Sequence, residues 1–91
     1  MKIVFDPDKD AANILKHGLS LAEFEGFDGE PTVVADIRID YRELRFVALG
    51  RIAGKPHAIV YTRRDRTMRL IGFRRAHEKE LRRHERTSPS K

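Results

Sequence analysis

The chain has 91 residues, 40% of them hydrophobic, enough for one small domain of about two packed layers. Its 19 Lys+Arg against 14 Asp+Glu leave a formal charge of +5, a balance suited to a polyanionic partner such as nucleic acid. The absence of cysteine excludes disulfides, thiolate zinc sites, iron–sulfur clusters and a cysteine nucleophile, and no stretch approaches the roughly 20 apolar residues of a membrane span, so a soluble, unexported, cytoplasmic protein is expected.

Lys2-Ile3-Val4-Phe5 reads as a short first strand. Asp6 then stands as a helix N-cap, with Pro7 at the first helical position and Asp8 and Asp10 in the first turn, where the helix dipole favours them. This helix runs to about His17, and Gly18 is placed to end it in a left-handed conformation. Ser20 and Glu23 form a capping box, with Leu19 and Phe24 as its hydrophobic staple, which predicts a second short helix ending near Gly26.

From Pro31 the period changes to two, and Val33, Ala35, Ile37 and Ile39 alternate with Thr32, Asp36, Arg38 and Asp40. Apolar runs Leu44 to Leu49 and Ala58 to Thr62 follow, split by Gly54-Lys55-Pro56; a turn at Arg64-Asp65-Arg66 leads into Met68 to Phe73. The last stretch, Arg75 to Arg86, has helical composition with Glu78/Arg82 and Glu80/His84 one turn apart. The expected order is β-α-α-β-β-β-β-α. This is an α+β domain over residues 1–86 with helices on one face of an antiparallel sheet, and residues 87–91 form a flexible tail.

Charge is unevenly distributed. Residues 1–30 carry three basic and seven acidic side chains, and residues 31–91 carry sixteen and seven, with six arginines between Arg63 and Arg75. A one-sided sheet leaves its second face open, so alternating side chains such as Arg45 and Arg69 can line a basic surface. Arginine there suits bidentate contact with phosphate, although a solvated basic face has the same composition.

The ordered blocks Phe5-Asp6-Pro7 with Lys9 and Asn13, Lys16-His17-Gly18-Leu19-Ser20 with Ala22, Arg42 to Phe46 with Leu49-Gly50, Val60 to Arg63, and Arg69 to Ala76 with Glu80 span most of the chain. Together they resemble the BrnT-type toxins of the type II toxin-antitoxin class. Three places depart from that pattern: Gly72-Phe73 stands where Ser-Ala is usual, His84 where a Tyr is usual, and the opening before Phe5 is short. The resemblance implies a RelE-like fold and an RNA-cleaving toxin that arrests translation. It also implies a small DNA-binding antitoxin that covers the toxin in a hetero-oligomer.

Under that resemblance the reaction is phosphodiester transfer, with the RNA 2′-hydroxyl attacking phosphorus. Arg45, Arg69 and Arg74 are the candidates for holding developing charge, and Lys16, Arg63 and Arg75 for binding RNA. His17 and His84 are the candidate acid and base, with Glu80 one turn before His84 to orient it. At a helix C-terminus His17 is expected to favour its protonated form; His57 and His77 read as surface residues. Tyr41 and Tyr61 suit base stacking as residue types, although an isolated Tyr in a strand is more often half-buried packing. No metal or cofactor is expected: His77 and His84 are about 10.5 Å apart along a helix, and no phosphate-loop glycine pattern occurs. Two other readings use the same basic residues, a non-catalytic nucleic-acid-binding module and an inactive interaction subunit.

Overall fold

The computed structural model describes residues 2–36 and 44–87. Its elements in chain order are β1 (Lys2–Phe5), α1 (Pro7–His17), a 3₁₀ turn (Leu21–Glu23), β2 (Thr32–Asp36), β3 (Arg45–Ile52), β4 (Lys55–Arg64), β5 (Thr67–Arg75) and α2 (Glu78–Thr87). The α+β class is as the sequence predicts. The expected continuation of the alternation through Ile37, Arg38, Ile39 and Asp40, together with Tyr41, Arg42 and Glu43 and the tail beyond Thr87, lies outside the described residues.

Two expectations are corrected. The sheet is mixed, in the order β1-β5-β4-β3-β2, because β1 runs parallel to β5 while the other neighbours are antiparallel. No hairpin joins β1 to β5, so nothing local in the sequence sets their relative direction. The second N-terminal helix is a single 3₁₀ turn. Its capping box does form, with Ala22 N–H donating to Ser20 Oγ at 3.1 Å and Ser20 N–H to Glu23 Oε2 at 2.9 Å. A cap does not propagate a helix, because nucleation is costly, and here the chain turns extended at Phe24 so that Leu21 and Phe24 both enter the core.

α1 begins and ends as its sequence dictates. Asp6 Oδ1 accepts the Asp8 N–H at 2.8 Å, and Gly18, at φ 74°, donates its N–H to Ile14 O. Two tight hairpins join β3 to β4 and β4 to β5. In the first, Ala53 and Gly54 both have positive φ, and the Asp28 carboxylate steadies the turn by accepting both of their N–H groups, at 3.0 and 2.9 Å.

The sheet separates two cores. On one face Leu19, Leu21 and Phe24 pack over Ala48, Ile59, Tyr61, Leu70 and Phe73. On the other, Leu81 of α2 covers Leu49 and Ala58. Leu21, Leu49, Ile59, Leu70 and Leu81 are the largest side chains with under 2% of their surface exposed, each contributing about 1.5–3 kcal/mol by burial. Among the described residues the Leu81 face is only partly covered, with α2 resting on β3 and β4.

β5 contains an irregularity that decides which residues reach the open face. Val60 faces Gly72, but the next residue, Tyr61, faces Leu70, so Ile71 is an extra residue in the ladder. Below and above this bulge the alternation changes phase. Leu70 and Phe73 therefore share the core face, and Arg69, Gly72 and Arg74 share the open one.

Candidate active site

A cleft of about 370 Å³ opens between α1 and the Leu81 face of the sheet. α1 contributes Lys9, Ala12, Asn13, Lys16 and His17, which recur three, four, seven and eight residues after the first and so occupy one side of a helix. The sheet contributes Ala58, Val60 and Gly72 as a small-residue floor, with Arg45, Arg74 and Asp36 around it. Four cations, one imidazole and one carboxylate thus share a single cleft.

Two of the cations are placed by the fold, one through a side-chain contact and one through strand register. Arg74 extends its guanidinium to Glu80 of α2, with Nη2 donating to Oε2 at 2.7 Å and Nη1 to Oε1 at 3.1 Å. This pairing holds the Glu80 carboxyl below its usual range and raises Arg74 further. Arg45 is fixed by register: on the open face Asp36, Arg45, Thr62 and Arg69 stand directly opposite one another across four strands. Neighbouring strands lie about 4.8 Å apart, so this row crosses the sheet from its β2 edge toward β1.

His17 differs from expectation. Burial, then the neighbouring Lys16 ammonium and Arg74 guanidinium, hold its imidazole below the ordinary value of 6.5. The helix C-terminus would favour the cation, but desolvation and two nearby positive charges outweigh it. The ring is thus neutral at pH 7, the form of a base.

The cleft gathers Lys16, His17, Arg45 and Arg74 of the sequence-predicted residues. Glu80 reaches it through Arg74, and His84 follows on α2 one turn later, its Nε2 buried and its charge close enough to help lower Glu80. Neither lines the cleft. Arg69 lies in a separate hollow at the β4–β5 hairpin. Arg63 and Arg75 are exposed and, by alternation with Thr62 and Arg74, belong to the opposite face. Gly72 lines the cleft while Phe73 is 4% exposed in the core. Among the described residues no group of three His, Cys, Asp or Glu side chains could hold a metal ion, and no helix is long and apolar enough to cross a membrane.

Sequence reasoning missed Lys9 and Asp36. Lys9 was legible, since it shares the helical face of Lys16 and His17. Asp36 was not, because the period-two reading turned it to solvent, whereas it is 8% exposed and Val33, on the opposite face of this edge strand, is 43% exposed.

A search of the curated proteins gave no match. Residues 5–80, which include α1, β2 to β5 and Glu80, match the family model described as ribonuclease toxin, BrnT, of type II toxin-antitoxin system, and the chain belongs to that family.

Proposed function

We propose that the chain is an endoribonuclease toxin that cuts RNA in the α1–sheet cleft without a metal and so inhibits translation. The observation that carries this reading is the gathering of His17 with Lys9, Lys16, Arg45 and Arg74 in one cleft, where burial and the neighbouring cations hold the imidazole below its ordinary value. Transfer through the 2′-hydroxyl needs a base for the hydroxyl proton and cations for the phosphate oxygens, roles that an imidazole and guanidinium groups suit. His17 accepts the 2′-hydroxyl proton as that oxygen bonds to phosphorus. The bond to the 5′-oxygen breaks, and this oxygen takes a proton from solvent or from the Lys16 ammonium. Arg45 and Arg74 hold the non-bridging oxygens, and Glu80 positions Arg74.

Membership of a type II toxin-antitoxin family implies an antitoxin partner. The reading extends this to a RelE-like fold and to a DNA-binding antitoxin that covers the cleft with an acidic segment, in a hetero-oligomer.

The test is incubation of the purified chain with RNA in excess EDTA, with product ends identified by mass spectrometry. Cleavage is expected to persist and to leave 2′,3′-cyclic phosphate and 5′-hydroxyl ends. Activity that vanishes with EDTA and returns with Mg²⁺ would sink the mechanism, and RNA bound but never cut would make the chain a binding module.

A further inference from the structure

A second polar hollow lies on the same sheet face as the cleft, at the β4–β5 hairpin. It encloses about 190 Å³ and is lined by Thr62, Arg64, Asp65, Thr67 and Arg69. Register builds it: Thr62 faces Arg69 and Arg64 faces Thr67, so four side chains rise together from one face, with Asp65 at the turn. Its lining carries two guanidinium groups and one carboxylate, and Arg64 already holds a partner, so Arg69 is the cation the hollow offers. Arg69 is exposed and enters no salt bridge among the described residues.

The hollow continues the cleft. Arg45, which lines the cleft, stands opposite Thr62, which stands opposite Arg69. The two arginines are therefore separated by two strand spacings, about 10 Å. The Ile71 bulge is what puts Arg69 on the face of Arg74, since simple alternation would turn residues 69 and 74 to opposite sides.

We infer that this hollow is a second RNA-phosphate subsite, about 10 Å from the Arg45 side of the cleft, with Arg69 as its main cation. Arg69 then tracks the substrate instead of joining the reacting phosphate. The inference rests on the proposal that the cleft takes RNA, and it adds that the protein engages a strand longer than the dinucleotide it cuts.

The test compares wild type with Arg69→Ala and Arg69→Gln, with exposed Arg86→Ala on α2 as the control. Binding of a fluorescein-labelled decamer of 2′-O-methyl RNA, which cannot undergo transfer, is measured by anisotropy across a salt series. Both Arg69 variants are expected to weaken Kd about tenfold and to lower the slope of log Kd against log salt by about 0.7, the single-strand value for one phosphate. In cleavage assays the loss of kcat/KM on a decamer RNA should exceed that on a dinucleotide, which carries a single internucleotide phosphate, by at least about fivefold. Circular dichroism checks that the fold is kept. Equal losses on both lengths would return Arg69 to the reacting phosphate, and an unchanged salt slope would remove the subsite. Wild-type protein that binds the decamer but cuts no RNA would overturn the cleavage reading alone, because the slope comparison still decides the subsite. Wild type that binds no decamer overturns both.

Discussion

Asn13 and Phe73 are joined side chain to main chain as two strands would be. The Phe73 N–H donates to Asn13 Oδ1 at 3.1 Å, and Asn13 Nδ2 donates to the Phe73 carbonyl at 2.8 Å. β1 pairs with β5 only as far as Leu70, so beyond that point the carboxamide replaces the missing strand. Asn13 Nδ2 also donates to Leu19 O at 2.8 Å, anchoring the segment that follows α1. One side chain, 6% exposed, thereby sets where the α1 wall of the cleft stands relative to Arg74, the residue after Phe73.

Asn13→Ala should therefore act on stability and on the cleft together. It leaves the Phe73 N–H, the Phe73 carbonyl and the Leu19 carbonyl without the partner each now has, and a buried polar group left unsatisfied costs about 1–3 kcal/mol. Partial relaxation toward solvent reduces the sum, so an overall loss of about 2–4 kcal/mol in urea unfolding is expected. A loss below about 0.5 kcal/mol, the usual scatter of surface substitutions, would show that the carboxamide is dispensable to the fold.

The local elements were legible because their signals are local. Asp6-Pro7 and Gly18 delimit α1 by capping chemistry, and the hairpins follow from apolar runs interrupted by turn residues. The parallel β1–β5 pairing was not, since it joins the two ends of the chain without a connecting turn. The site was half legible for the same reason. Lys16 and His17 share a helix face that can be read by counting, but Arg69 and Arg74 share a sheet face only through the Ile71 bulge, which breaks the period that sequence reading relies on. The bulge is bounded by Leu70 and Phe73 both seeking one core, a tertiary demand that overrides alternation. For His17 the helix terminus alone predicts the wrong sign, because it is a sequence feature, whereas burial, the largest cause, and the proximity of Arg74 are products of folding.

Two glycines give opposite expectations. A Cβ on Gly50 would lie 2.7 Å from Phe27 Cδ1, and that ring is held edge-on against Phe24 with centroids 5.3 Å apart. Gly50→Ala should destabilise by about 1–3 kcal/mol, the range for overpacking. A Cβ on Gly72 would meet Asn13 Oδ1 at 3.8 Å and Val60 Cβ at 3.9 Å, ordinary contact distances. Gly72→Ala or Gly72→Ser should change stability by less than about 0.5 kcal/mol, while Gly72→Leu, projecting into the cleft, should fold and lose RNA cleavage. Thermal melts of the four variants, with cleavage assays on the last, check this. A Gly72→Leu protein that folds and cleaves normally would mean that substrate does not lie on this floor.

The Arg74–Glu80 pair should be worth more to activity than to stability. Its side chains are 36% and 32% exposed, so solvent screens the charges and Glu80→Gln should cost under about 1 kcal/mol at pH 7. Because the folded protein holds Glu80 below 4.5, its contribution is complete above that value and is lost as pH falls through the lower folded value. Urea midpoints should accordingly decline toward acid more steeply in wild type than in Glu80→Gln; parallel curves would show that the pair contributes nothing to the acid transition. Arg74→Ala should fold, still bind its antitoxin and lose about 10²- to 10³-fold in cleavage rate, with Arg74→Lys recovering only part, since an ammonium lacks the planar fork. An Arg74→Ala protein that folds and cuts at the wild-type rate would remove this residue from the site.

His17 supplies the sharpest pH test. Its folded value lies below 6.5, with burial the largest cause, Lys16 the next and Arg74 the third. The neutral imidazole is therefore present at pH 7, and the rate of RNA cleavage should hold on acidification past 6.5 before falling as the ring takes a proton. Protonation of the folded form is disfavoured relative to the unfolded chain, so the same group contributes stability above 6.5 that is lost as pH falls through the folded value. His17→Gln should abolish this acid limb and lower the rate by about 10²- to 10⁴-fold, the usual contribution of a general base. Lys16→Met, by removing the nearer charge, should move the limb upward in pH, and Arg74→Ala should move it less. Proton NMR titration of the His17 ring in each variant reads the shift directly and independently of catalysis. A His17 inflection at or above 6.5 in the wild-type protein would contradict the electrostatic argument, and a normal inflection order with an unaltered cleavage rate in His17→Gln would assign the base to another group.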